Sequence, residues 1–477
     1  MVNRMNKMII STIAMAMLIA CQNEPAIMKE RVNDGSVEVL IYPDEIKKTI
    51  STYMTGFNLS YYRDKDDIWE NNNIAQKLKD VKAGILRYPG GGETSYFHWQ
   101  YPGAPGYRDA LNSEHTVDKD NALKNPDRQM DTDKYIEWCR IIDCEPLLGF
   151  NLKSGFVRND MDDALREAKE WLTYCNVEKG YNVKYWYLDN ELNNKEYKLI
   201  NMQQYAEIIN RFVPELKAID PSIKIIVNPI GNGRSQAMKD IVRLAAENFD
   251  IIDLHYYYDW GNVTWDRWLN QYPLKNEGAT YVDDVKALSK IIKTSKNPNI
   301  KLASLEWNVA PPAEVVSNYK QVLMQTEMFQ QFIESDLEMA CVWPLLWDQP
   351  LGRFPSLLNQ QTYEPAPLYY VYKLYTDALG QQLIHSLSSD QRIISQSVLR
   401  LDGQKMWVYL INKSENELKV KANVKSGSFT KAIGDLILSE DIEAHTCLTE
   451  KINVDIQRNI ASVVMPAFSI VRVELTK

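Results

Sequence analysis

Cysteine is scarce in this chain, with 6 among 477 residues. One, Cys21, closes an N-terminal apolar run. The other five, Cys139, Cys144, Cys175, Cys341 and Cys447, are odd in number and irregular in spacing, which excludes a disulfide framework; Cys139 and Cys144 pair only if geometry allows. Histidine is scarcer still. His98, His115, His255, His385 and His445 show no metal-ligand spacing, so no metal and no other cofactor is expected. Beyond the first twenty residues no segment approaches 18 uninterrupted apolar residues, and no spanning helix is expected. Long runs of like charge are absent, and a net charge of −9 argues against nucleic acid as a partner.

The N-terminus carries an address. Arg4 and Lys7 make a basic start, Met8 to Ala20 is mostly apolar, and Leu18-Ile19-Ala20-Cys21 ends the run. It is too short to span a membrane stably and fits a signal peptide over 1–20. Its end resembles a bacterial lipobox, in which the cysteine is lipidated and becomes the new N-terminus. The expectation is an exported bacterial lipoprotein held at the outer membrane through Cys21, on its periplasmic or cell-surface face, with a polar tether over 21–35. Loss of Arg4 and Lys7 would take the net charge to −11.

The length implies more than one domain, and 45% hydrophobic with 25% charged residues is ordinary for a globular chain with a large core. Twelve Trp and 27 Tyr suit sugar-stacking platforms and a large aromatic core equally. Ser36–Ile41 alternates like a strand. Then eight apolar runs follow: Met54–Leu59, Ala83–Tyr88, Pro146–Asn151, Val183–Leu188, Ile223–Asn228, Ile251–His255, Leu302–Leu305 and Met339–Trp343. Helix-like stretches such as Asp162–Asn176, Met202–Ile219, Ser235–Glu247, Val282–Thr294 and Tyr319–Ser335 separate many of them. Eight βα units predict a closed (β/α)8 barrel over 50–376. From 377 to 477 short alternating strands predict an antiparallel β-sandwich, which the strand within 36–49 would join.

In such a barrel, chemistry gathers at the C-terminal ends of the strands. The first ends near Asn58, the second at Arg87 before Gly90-Gly91-Gly92, the third at Asn151, and the fourth at Asn190-Glu191. The fifth ends at Asn228, the sixth at His255-Tyr256-Tyr257, the seventh at Glu306, and the eighth at Trp343 with Trp347 nearby. One polar strand end means little, but eight in register favour a site. Two of them are glutamates 115 residues apart, and two carboxylates are what cleavage of a glycosidic bond needs. The glycine run reads as a tight turn; no Lys-Ser/Thr follows it to make a phosphate loop.

The segments Leu86-Arg87-Tyr88-Pro89-Gly90-Gly91, Tyr96-Phe97-His98-Trp99, Tyr185-Trp186, Asn190-Glu191, Leu254-His255-Tyr256-Tyr257 and Glu306-Trp307-Asn308-Val309 resemble the clan A retaining glycosidases. Among these the chain is most similar to the α-L-arabinofuranosidases of glycoside hydrolase family 51. The resemblance implies a retaining hydrolase with Glu191 as acid/base and Glu306 as nucleophile. Asn58, Arg87, Asn151, Asn190, His255, Tyr257, Trp343 and Trp347 would bind the sugar, an oligo- or polysaccharide of plant type. The action would be metal-independent, arabinofuranosidase-like and exo-acting. Glu306 and the apolar Trp186 are expected to raise the pKa of Glu191, and Arg87 to keep Glu306 ionised. Three departures touch the sugar shell: Asp189 stands where the family usually has Gly, Asn58 where it usually has Glu, and Gly92 where Asn is common. Asp189 is expected either to pair with Arg or Lys or to tune Glu191. A clan A endoglycanase acting on hemicellulose or algal galactan is the alternative. Tyr256, Tyr258, Trp260, Trp265 and Trp268 would then line an extended cleft. A catalytically silent carbohydrate-binding lipoprotein is the third reading.

Overall fold

The computed structural model describes residues 35–60, 68, 71–100, 107–108, 110–111, 117–118, 130–194, 200–310, 312, 317–346, 354–359 and 361–477. Cys21 with its leader, His115 and Trp347 lie outside these residues.

Eight parallel strands close on themselves: Tyr53–Asn58, Ile85–Tyr88, Glu145–Phe150, Tyr185–Leu188, Lys224–Val227, Ile251–Asp253, Lys301–Val309 and Met339–Val342. Each pairs with the next, and Met339 of the eighth returns to Tyr53 of the first. The barrel predicted from the eight apolar runs is therefore present. Its interior is filled by Ile85, Leu147, Tyr185, Tyr187, Ile226, Ile251, Ala303 and Leu305. The alternate residues of the same strands, such as Trp186 and Leu188, face the surrounding helices. This period of two decides which side chains can reach the mouth.

The helices follow amphipathic logic. Met202–Ile219 starts on an Asn201 capping box with Gln204 and buries Tyr205, Ile208, Ile209, Phe212 and Leu216. Tyr319–Glu334 is buried almost all round, because it lies between the barrel and a second sheet. That sheet is ten-stranded and curls into a sandwich. Val37–Thr49 enters it antiparallel to Gln382–Ser388 and parallel to Leu418–Val424. The last two strands of this sheet are Ile460–Met465 and Ile470–Thr476.

The two bodies are locked together. Tyr409 of the sandwich stacks on Tyr375 with centroids 4.1 Å apart. Lys413 reaches Glu327 at 3.0 Å, with side-chain exposures of 0% and 1%. Arg472 bonds Asp377 at 2.7 Å. All five described cysteines are free thiols; Cys144 only points its Sγ at the Cys139 carbonyl.

Candidate active site

The chain leaves the fourth strand through a strained turn. Asp189 and Glu191 both hold left-handed φ values, 63° and 49°, a region that costs a residue with a Cβ. Asp tolerates it better than most residues, which suits a position where glycine is usual in the family. Asp189 repays the strain with four hydrogen bonds: from Ser95 Oγ, its neighbour's Asn190 N, and the Leu152 and Lys153 N–H groups. Among the described residues no Arg or Lys side chain pairs with its carboxylate, contrary to the first expectation for it. Burial pushes its pKa up despite those four donors. Asn228 Oδ1 accepts from Glu191 N at 2.7 Å and so pins the turn from the fifth strand.

The seventh strand does not stop at Glu306. It runs on to Val309, because Tyr256–Tyr258 continue the sixth strand beside it. Leu305 fills the barrel interior, yet Trp307 packs outward on Phe329 and Phe332. A register shift against the eighth strand between Ser304 and Trp307 accounts for the phase change. Such an irregularity re-aims a side chain, and here Glu306 turns into the mouth. Arg87 Nη1 donates to Glu306 Oε2 at 3.1 Å, and Tyr257 Oη donates to Oε1 at 2.6 Å. Arg87 also gives Nη2 to Asn190 Oδ1 at 2.7 Å and lies over the Tyr187 ring. Its burial opposes charge, but Tyr187, Glu306 and Asp253 hold its pKa above the usual arginine value.

Glu191, His255 and Glu306 converge, with one oxygen or nitrogen of each within 4.8 Å of the others. His255 Nδ1 stands 2.7 Å from Glu191 Oε1 and 3.8 Å from Glu306 Oε2. Its Nε2 stands 3.0 Å from Asp253 Oδ2. Burial disfavours the imidazolium, but Asp253, Glu306 and the bonds to Asp253 and Glu191 outweigh it and raise the pKa to about 10. Both ring nitrogens thus face carboxylates, and Asn228 Nδ2 lies 3.0 Å from Nε2 as well, so the imidazole is enclosed by polar partners on every side.

Several expectations about these residues change. Glu191 is not raised. Burial works that way, but His255, Asn194 Nδ2 and Arg87 prevail and hold it below the usual carboxylate range. Trp186 does not touch it, since that ring stacks on Phe150 in the layer between barrel and helices. Asn58 is fully buried. Its Nδ2 donates to the Leu305 and Val342 carbonyls and its Oδ1 accepts from Arg87, so it braces the guanidinium instead of facing sugar. Asn151 likewise spends both ends of its amide on Phe97 O and Ser154 at the start of the helix Lys153–Val157. Asn190 keeps its Nδ2 free of protein partners among the described residues. His255 is a link between carboxylates more than a sugar contact. Trp343 is nearly buried against Gly91, where an added Cβ would come within 2.6 Å of its ring. Gly90 makes the turn itself, with φ 84° and Leu59 O in the place of a side chain. A Cβ at Gly92 would meet nothing within 4 Å, so the side chain common in the family is missing there without being sterically excluded.

One member of the site escaped the sequence reading, Asp253, and Asn228, read only as a strand end, proves to be its partner. Asp253 is fully buried, accepts from Leu305 N at 2.7 Å and from Asn228 Nδ2, and so ties the fifth, sixth and seventh strands. The period of two was the available signal, since Asp253, His255 and Tyr257 alternate along one strand. The aromatic loop after the sixth strand also differs. Tyr256, Tyr258 and Trp268 are buried and Trp265 packs on Phe468, leaving Trp260, 55% exposed, as the open ring.

Comparison with known proteins agrees with this architecture. Residues 77–274 match the α-L-arabinofuranosidase 1 domain. An α-L-arabinofuranosidase C of Emericella nidulans is 30% identical over 171 residues, which are 32% of this chain and 31% of that protein. An intracellular exo-α-(1→5)-L-arabinofuranosidase of Halalkalibacterium halodurans is 23% identical over 298 residues, 58% of this chain and 56% of the relative. The match thus spans about a third of the length of the fungal relative. An α-L-arabinofuranosidase from Thermotoga maritima, solved with arabinose, shares the fold at a TM-score of 0.73 and 20% identity, covering 93% of this chain and all of that one. The chain is thus similar to α-L-arabinofuranosidases in sequence over 77–274 and shares the fold of one that has been solved, as its motifs implied.

Proposed function

We propose that this protein is a retaining glycoside hydrolase acting on terminal α-L-arabinofuranosyl groups of plant-type polysaccharide, with Glu306 as nucleophile and Glu191 as acid/base. The observation that carries the reading is the approach of the two carboxylates, which bring oxygens within 4.8 Å of one another at the barrel mouth. Retaining enzymes need about 5–5.5 Å between the carboxyl groups, whereas inverting ones leave about 6.5–9.5 Å for a water. Glu306 is held at both oxygens, which aims it, and Asn190 Nδ2 is left to bond a hydroxyl beside the anomeric carbon. Of the five rings after the sixth strand expected to line an extended cleft, Tyr256, Tyr258 and Trp268 are buried, which supports exo action.

The product profile on arabinan, arabinoxylan, other hemicelluloses and algal galactans tests this. Release of single arabinose units is expected. Internal cuts without action on an aryl arabinofuranoside would replace the reading with an endoglycanase. No turnover at all would favour a silent sugar-binding protein. Glu306→Gln should lose about 10³-fold or more in kcat, since no other group takes its place, and a mechanism-based label on a different peptide would remove Glu306 from its role. Glu191→Ala should spare an activated aryl leaving group, hurt a natural glycan by about 10²–10⁴-fold, and be rescued by azide.

The protein is further proposed to be tethered to the outer membrane by a lipid on Cys21. Cys21→Ser should release it from membranes and abolish palmitate labelling; retention of both would end that idea.

A further inference from the structure

A general acid must hold a proton before the leaving group departs, yet Glu191 sits with His255 on one oxygen and Asn194 on the other. The titratable group nearest to Glu191 is the imidazole, with Nδ1 2.7 Å from Oε1. We infer that His255, held by Asp253, keeps the proton that Glu191 delivers, so that the acid/base of this site is a His255–Glu191 pair. The inference rests on the glycosidase reading above.

The geometry is that of a short relay. Asp253 is fully buried and fixes Nε2 at 3.0 Å, which turns Nδ1 to Glu191 Oε1 at 2.7 Å. The ring is almost closed to solvent, at 3% side-chain exposure, so bulk water is not its proton partner. Among the described residues, every charged or titratable group that faces it belongs to the site: Glu191 after the fourth strand, Asp253 and Tyr257 on its own, Glu306 on the seventh, and Arg87 beyond Glu306. Asn228 of the fifth strand completes the shell without charge.

The proton count closes over a turnover. In the first step Glu306 bonds the anomeric carbon, and the glycosidic C–O bond breaks with its electron pair on the leaving oxygen. The Nδ1 proton passes to Glu191 and on to that oxygen, leaving a neutral imidazole and an ionised Glu191. In the second step a water oxygen bonds the anomeric carbon while the ester bond breaks with its pair returning to Glu306. The water proton passes through Glu191 back to Nδ1. Glu306 Oε2 is 3.8 Å from Nδ1, and its charge disappears in the ester. His255 therefore loses a stabilising anion at the stage when it gives up its proton and regains that anion when the proton returns. His255 touches no reacting atom in this scheme; it positions and supplies Glu191.

Two readouts test it on the full chain. In the first, ¹⁵N-histidine spectra, assigned with His255→Gln, should show both His255 nitrogens protonated at pH 7, with the titration midpoint falling in Glu191→Gln. A neutral ring at pH 7 overturns the inference, whatever the enzyme cleaves. In the second, His255→Gln and Asp253→Asn are compared with wild type on aryl glycosides of graded leaving-group ability. The alkaline limb of kcat/KM should move to lower pH. The loss at pH 8 should reach about 10²-fold for a poor leaving group and stay small for an activated one. Equal losses with an unmoved pH profile would make His255 a strut and overturn the relay. A protonated His255 in a wild type that cleaves no glycoside would instead sink the hydrolase reading and leave the pair without a catalytic use.

Discussion

Removing the hydroxyl of Tyr257 separates the two steps of the proposed reaction. Tyr257→Phe keeps the ring, which sits edge-on to Trp260 at 4.7 Å and beside Phe354 at 5.7 Å, and Arg87 still holds the other oxygen of Glu306. What is lost is one 2.6 Å bond to a carboxylate. A hydrogen bond to a charged group contributes about 1.5–3 kcal/mol, which at 1.36 kcal/mol per decade is about 10- to 150-fold in rate. The direction differs between steps. When Glu306 forms the ester its negative charge vanishes, so the Tyr257 bond is strongest before the first step and after the second. The variant should pass readily into the covalent intermediate and leave it slowly, because the departing carboxylate has lost a donor. Stopped-flow release of an aryl leaving group should show a burst of one equivalent, then a steady state about 10- to 100-fold below wild type, with KM lowered as the intermediate accumulates. A variant with unchanged kcat, or with raised KM and no burst, would refute the argument that Tyr257 stabilises the departing carboxylate.

Other consequences follow from buried charge. Lys413→Met leaves the Glu327 carboxylate buried with, among the described residues, Trp268 Nε1 and Leu274 N as donors, and should cost about 3–5 kcal/mol; a change under about 1 kcal/mol in urea unfolding would mean the pair is dispensable. Stability should fall with rising pH through the histidine window. His255 has a folded pKa near 10 against 6.5. Its contribution is whole below pH 6.5 and is lost as pH rises through about 10. Thermal unfolding of wild type minus His255→Gln should show that slope, on the order of a few kcal/mol in all, and a flat difference would contradict it. Gly91→Ala should lower stability and disturb the Trp343 ring, since φ is 52° and the ring occupies the Cβ position; an unchanged melting temperature would count against that contact.

Much of this molecule was legible without coordinates. The apolar runs at eight intervals define strands because strand length and helix spacing are local properties, and a βαβ order leaves few topologies open. The ends of those runs pointed to the mouth because the barrel rule is positional. Glu191 and Glu306 were found that way although they lie 115 residues apart. What local pattern did not hold was the partner of each polar group. Asn58 and Asn151 look like ligands for sugar hydroxyls, but an amide serves a carbonyl or a guanidinium equally well, and only packing shows that Arg87, Leu305, Phe97 and Ser154 use them up. The extent of the seventh strand depended on a neighbour, since Tyr256–Tyr258 alone give Trp307–Val309 something to pair with.

The electrostatics of the acid/base were decided last of all. Sequence put an anion and an indole near Glu191 and so implied a raised pKa. The fold turned the indole away and delivered the His255 imidazole from two strands further on. Periodicity and strand order are carried by residues close in the chain, so the sequence determines them. Charge at a site is the sum over neighbours brought from five strands, and that sum exists only once the barrel has closed.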